Sequence, residues 1–196
     1  MTKQWIMAAG MAVVLGLGAT ACGGDDKKKD DKGSSAAAAK GPHGEQDVSF
    51  VQMMVPHHRQ AVEMSKTVIA KGADPKVKTL AGRIEKAQAP EIEKMSGWLK
   101  GWGESVPGED DHGMEGVDQD RGGMMSAKQM ADYGKASGKD LDEQFLTLMV
   151  DHHKGAVTMA EDEQKNGVSP DAKALAGAII KSQQAEIAEM GDLLKS

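Results

Sequence analysis

The sequence predicts an all-α protein: a four-helix bundle made of two repeated helical hairpins joined by a long crossover. Three observations carry this. One passage occurs twice, as Phe50-x-x-x-Met54-x-x-His57-His58-x-x-Ala61-x-x-Met64 and as Phe145-x-x-x-Met149-x-x-His152-His153-x-x-Ala156-x-x-Met159, at a constant offset of 95 positions (145 − 50). The register continues without a gap, so that about 22 of the 53 positions from Val48 to Lys100 are identical to their partners. Within each copy the apolar residues recur at helical spacing, and a Gly followed three residues later by a Pro divides it in two.

In the first copy, Asp47 is the expected N-cap of a helix whose face is Phe50, Met54, His57, Ala61 and Met64. Gly72 ends it, and Asp74-Pro75 opens the next helix with a cap and a proline at its first position. That helix carries Leu80, Ile84, Ala87, Glu91, Met95 and Trp98 as its inward stripe. A connection of about four residues makes the pair antiparallel. The second copy repeats the plan, with Asp140 or Asp142 as cap, Gly167 as terminator and Ser169-Pro170 as the next opening. Pro56 and Pro90 fall inside predicted helices, where a kink or a lost hydrogen bond is expected. Between the hairpins, Gly101 to Gly123 is rich in Gly and Asp, and a short helix follows from Ser126 to about Ala136. Two hairpins with apolar stripes bury them best against each other, so residues 45–196 form one domain with repeats at 47–101 and 140–196.

The first 21 residues are expected to be an export signal. Lys3 is their only charge, an apolar stretch runs from Trp5 to Leu17, and Ala19-Thr20-Ala21-Cys22 supplies small residues at a cleavage point. The single cysteine stands where a bacterial lipoprotein carries its lipid, so Cys22 is the expected membrane anchor. With no second cysteine there is neither a disulfide nor a thiolate metal cluster. Residues 22–44, dominated by Gly, Asp, Lys, Ser and Ala, read as a flexible tether holding the domain off the membrane. The net charge of −6 argues against a nucleic-acid surface, and 3% aromatic residues leave few rings to stack a base or a sugar.

Four of the six histidines sit in the two His-His pairs, and seven of the 14 methionines lie in the repeats. Imidazoles and thioethers gathered at helical spacing point to a metal, copper before others, and Cu(I) in particular. At 100° per residue His57 lies at the centre of its apolar stripe and His58 on the flank, and His152 and His153 repeat this. Glu91 and Glu186 occupy the facing stripes, where a buried carboxylate needs a partner. The candidate ligands are therefore His57, His58, Met54 and Met64 with His152, His153, Met149 and Met159, and Glu91 and Glu186 would orient the imidazoles. His112, Met114, Met124 and Met125 in the crossover are accessory candidates. The competing reading makes His57 and His152, each hydrogen-bonded to a facing glutamate, a structural network that fixes the packing of the helices, with the methionines as core filler.

These motifs, together with Gly123-Met124-Met125-Ser126, resemble the CopM-like group of exported bacterial proteins, long described as a domain of unknown function. The resemblance covers residue 45 to the C-terminus and implies a ferritin-like bundle and an extracytoplasmic role in copper binding or resistance. A di-iron oxidase does not follow from that fold. Its helices need Glu-x-x-His, and the one such motif, Glu109 to His112, lies in a Gly/Pro-rich loop. No phosphate-binding loop or nucleophile elbow is present, so no enzymatic activity is expected. The sequence thus predicts a lipid-anchored copper-binding domain; the alternative is an envelope interaction domain without metal.

Overall fold

The computed structural model describes residues 41–108 and 122–195. The signal segment, Cys22, most of the tether, His112 and Met114 lie outside the described residues. Four long helices and one short helix make up the fold: α1 (Glu45–Lys71), α2 (Pro75–Trp102), α3 (Ala127–Tyr133), α4 (Gly138–Asn166) and α5 (Pro170–Leu193). The secondary-structure elements of the described residues are all helices, as the repeat predicted. Helices α1 and α2 form one hairpin, α4 and α5 the other, and the hairpins meet mainly through α1 against α4. Among the described residues no helix is long and apolar enough to cross a membrane.

The helix boundaries follow the local chemistry. Asp74 accepts a hydrogen bond from the Lys76 amide at 2.7 Å and Ser169 accepts one from Ala172 at 3.3 Å, each with proline in the first helical turn. Helices α1 and α2 continue through Pro56 and Pro90. Ser126 caps α3 and exchanges hydrogen bonds with Gln129.

Two expected caps act elsewhere. Asp47 is the third residue of α1, not its cap, and Asp142 sits well inside α4. Asp142 accepts from the amides of Ala73 and Asp74, at 2.9 and 2.7 Å, in the connection of the other hairpin. Asp47 returns the arrangement: it accepts from Ser169 at 2.8 Å and Val168 at 3.1 Å, and from its own Gly44 at 2.6 Å. Each aspartate therefore satisfies orphan amides at the start of the opposite hairpin's second helix, which a local capping rule does not foresee. Gly72 is what admits Asp142, since a Cβ there would collide with its carboxylate.

The core falls into two apolar clusters. One gathers Met64, Leu80, Ile84, Tyr133, Phe145 and Met149, and the other Phe50, Met54, Met95, Leu99, Leu175 and Ile179. Along α1 the second cluster ends at Val55 and the first begins at Ala61, with His57 and His58 between. Along α4 the order is reversed about His152 and His153. On α2 and α5 the same gap holds Gln88 with Glu91 and Gln183 with Glu186. A polar layer contributed by all four long helices thus crosses the middle of the bundle. Ala87, expected on the inward stripe, is exposed, and Gln88 is buried in its place.

Candidate metal centre

The His-His pairs project from α1 and α4 where those helices face each other. Successive residues on a helix point about 100° apart, so one histidine of each pair faces the other hairpin and the next faces its own hairpin partner. His57 and His152 meet across the pseudo-two-fold relation, with ring centroids 3.6 Å apart and planes inclined by 34°. His58 turns to α2 and bonds Glu91 Oε2 at 2.9 Å; His153 turns to α5 and bonds Glu186 Oε2 at 2.7 Å.

This corrects two expectations. His58 and His153 are not flank residues but fully buried. A helix packed against two neighbours buries an arc wider than one stripe, and both histidines fall within it. The glutamates pair with these two, not with His57 and His152, and they reach the layer from its edge, 24% and 16% exposed. His57 Nε2 instead meets the carbonyl of Gly122 at 2.6 Å.

The layer is rich in unsatisfied nitrogen. Among the described residues, Nδ1 of all four paired histidines is buried without a hydrogen-bond partner, as is Nε2 of His152. Gln88 and the Oε1 of Gln183 are in the same state. Buried polar atoms are nearly always paired, so a cluster of orphans at one level is the most unusual feature of the fold. Burial pushes His57 down to about 3, helped by the neighbouring His58. Burial and the adjacent His57 hold His152 well below the ordinary histidine range. Both rings are therefore neutral at physiological pH. A carbonyl only accepts, so neutral His57 donates Nε2–H to Gly122 and presents a bare lone pair at Nδ1.

The methionines frame this layer from the two clusters. Met54 lies in one and Met64 and Met149 in the other, all fully buried, and Met159 packs against the first of these clusters, partly buried. In the crossover Met125 is buried in the same cluster as Met64, and Met124 is partly exposed. Among the described residues no three His, Cys, Asp or Glu side chains are gathered as a ready-made metal cage. The donor chemistry on offer is thus a close pair of neutral imidazoles with orphaned nitrogens, flanked by apolar thioether-bearing layers.

The sequence profile of DUF305, a domain of unknown function, matches residues 47–194. The chain belongs to the DUF305 family. A search of the curated proteins finds no match. Among solved structures, a DUF305 fragment from Deinococcus radiodurans is 30% identical with a TM-score of 0.70, covering 79% of this chain and 99% of its own. A DUF305 protein from Streptomyces coelicolor, classed as secreted, is 35% identical with a TM-score of 0.68, covering 76% and 92%. CopM in its Cu(II)-bound form is 31% identical with a TM-score of 0.65, covering 76% and 95%; it has also been solved with Cu(I) and with silver. The resemblance to CopM-like proteins drawn from the motifs therefore holds.

Several buried polar residues of this bundle were not singled out by sequence reasoning. Gln60 bonds both the amide and the carbonyl of Met125 at 2.8 Å, and Tyr133 donates to the Met64 carbonyl at 2.8 Å. Buried Glu163 lies beside Asp47, and burial together with the Asp47 charge raises its carboxyl to about 8. A signal for two of these existed in the repeat itself. Gln60 stands opposite Gly155, and Glu163 opposite Val68, at otherwise equivalent positions.

Proposed function

We propose that this protein binds copper in the extracytoplasmic space, as a buffer or resistance factor, tethered by lipid at Cys22 and without enzymatic activity. The observation that carries the reading is the His57–His152 pair: two neutral, buried imidazoles in contact across the two repeats, with His57 Nδ1 and both His152 nitrogens lacking a hydrogen-bond partner among the described residues. A neutral imidazole is a copper ligand, and the surrounding thioethers favour the soft monovalent ion. The copper- and silver-bound CopM structures support this, as relatives of about 30% identity. His57 and His152 would hold the ion. His58 and His153, each already bonded to a glutamate at Nε2, would contribute through Nδ1, oriented by Glu91 and Glu186. Cu(I), when bound, supplies no reaction here; it is the cargo.

The packed state of Met54, Met64 and Met149 favours a second reading, in which the layer is a structural network and the face of the bundle binds another envelope protein. A competition titration with a Cu(I) chelator, on the chain without its first 21 residues, separates the two. Copper binding that is lost in His57→Ala and His152→Ala is expected. Affinity no better than that of a peptide of scrambled Met/His sequence would remove the copper reading. For the anchor, Cys22→Ser is expected to release the protein from the membrane fraction or leave it unprocessed. Identical mass and solubility of wild type and variant would refute lipidation.

A further inference from the structure

The two halves of the polar layer are not equivalent, and the crossover is what distinguishes them. Residues Gly122 to Met125 run against α1 and α4 as a short strap. Its first carbonyl accepts from His57, and its last residue is held by Gln60 through two hydrogen bonds of 2.8 Å each. On the other side Gly155 is an absolute fit: a Cβ there would collide with the carbonyl of Gly122. Gly123 takes the left-handed conformation, φ 64°, and a Cβ on it would strike the Asp151 carbonyl. Gln60 and Gly155 occupy matching positions in the two repeats, so one repeat supplies the latch and the other the seat. His152, the partner of His57, receives no carbonyl from the strap, and among the described residues neither of its ring nitrogens makes a hydrogen bond of good geometry.

We propose that Gln60 and Gly155 are positioning residues for the centre: they seat the Gly122–Met125 strap so that its carbonyl fixes His57 as the Nε2–H tautomer and leaves Nδ1 as the donor atom for a soft monovalent cation. A ring whose far nitrogen donates to a backbone carbonyl is oriented and made more basic as a ligand. The strap thus makes His57 the preset ligand of the pair and leaves His152 the adaptable one. The ion-binding half of this statement rests on the metal reading above; the tautomer half does not.

The test uses the chain without its signal segment, in wild-type form and as Gln60→Ala and Gly155→Ala. Gln60→Ala removes the latch with little steric cost, and Gly155→Ala displaces the seat, so the two reach the strap by independent routes. NMR of the imidazole nitrogens in the metal-free protein is expected to show His57 as a single Nε2–H tautomer in wild type and as a mixture in both variants. Amide exchange at Met125 should accelerate about tenfold or more when its side-chain partner is lost. Titration with silver(I) ion should show affinity falling about 10- to 100-fold in both variants, the usual effect of losing a group that orients a metal-binding imidazole. His57 protonated on Nδ1 in wild type, or an unchanged tautomer and unchanged Met125 exchange in Gln60→Ala, would overturn the proposal. If wild type shows the tautomer contrast but binds no silver, the positioning role stands and the metal reading fails.

Discussion

Lowering the pH from 7 to 5 should destabilise the Glu163→Gln variant by about 4 kcal/mol, and the two facing imidazoles are the cause. His57 titrates near 3 in the fold, against an ordinary 6.5 in the unfolded chain. Between pH 7 and 5 the unfolded chain takes up a proton at this position and the folded chain does not. Stability is fully present above the unfolded value and falls with pH; for one site over this window the loss is about 2 kcal/mol. The size is set by the unfolded side, so His152, held well below the usual range, loses a similar amount. Glu163 works in the opposite sense. Its carboxyl is raised to about 8, so the folded chain keeps its proton while the unfolded chain takes one up only near its ordinary value of 4.5. That contributes about 2–3 kcal/mol of stability on going from pH 7 to 5, which masks much of the histidine effect in wild type. Replacing Glu163 by Gln removes the opposing titration and keeps the shape. Urea unfolding followed by circular dichroism at the two pH values, in metal-free buffer, gives both differences. A Glu163→Gln variant as stable at pH 5 as at pH 7 would show that the imidazoles charge within the fold, and the neutral-pair description would be wrong.

Two further outcomes follow from the same structure. His58→Ala and His153→Ala should each cost on the order of 2 kcal/mol or more, since both rings are buried and hydrogen-bonded, and chemical denaturation that finds them neutral would refute their place in the core. Asp142→Ala should destabilise by about 1–3 kcal/mol by orphaning the Ala73 and Asp74 amides of the opposite hairpin, with faster amide exchange at those two residues as its local signature.

The sequence alone determined the helices, their pairing into hairpins and the level of the histidine layer. Those features are periodic or local. The stripe from Phe50 to Met64 and the Asp74-Pro75 and Ser169-Pro170 openings act within a few turns of chain, the internal repeat copies that plan, and the structure reproduces it. What the sequence left open is which partner each polar group meets. The stripe pattern sets His57 opposite Glu91 because both lie at stripe centres, yet His57 meets His152 and Gly122, and Glu91 meets His58. A periodic pattern gives the angle of a side chain about its own helix axis; it does not say which neighbouring helix stands at that angle. Only the docking of α1 on α4 decides that. The exchange of Asp47 and Asp142 between hairpins has the same origin, and so does the strap, whose register depends on Gln60 and Gly155 meeting a crossover some 30 to 65 residues away in the chain.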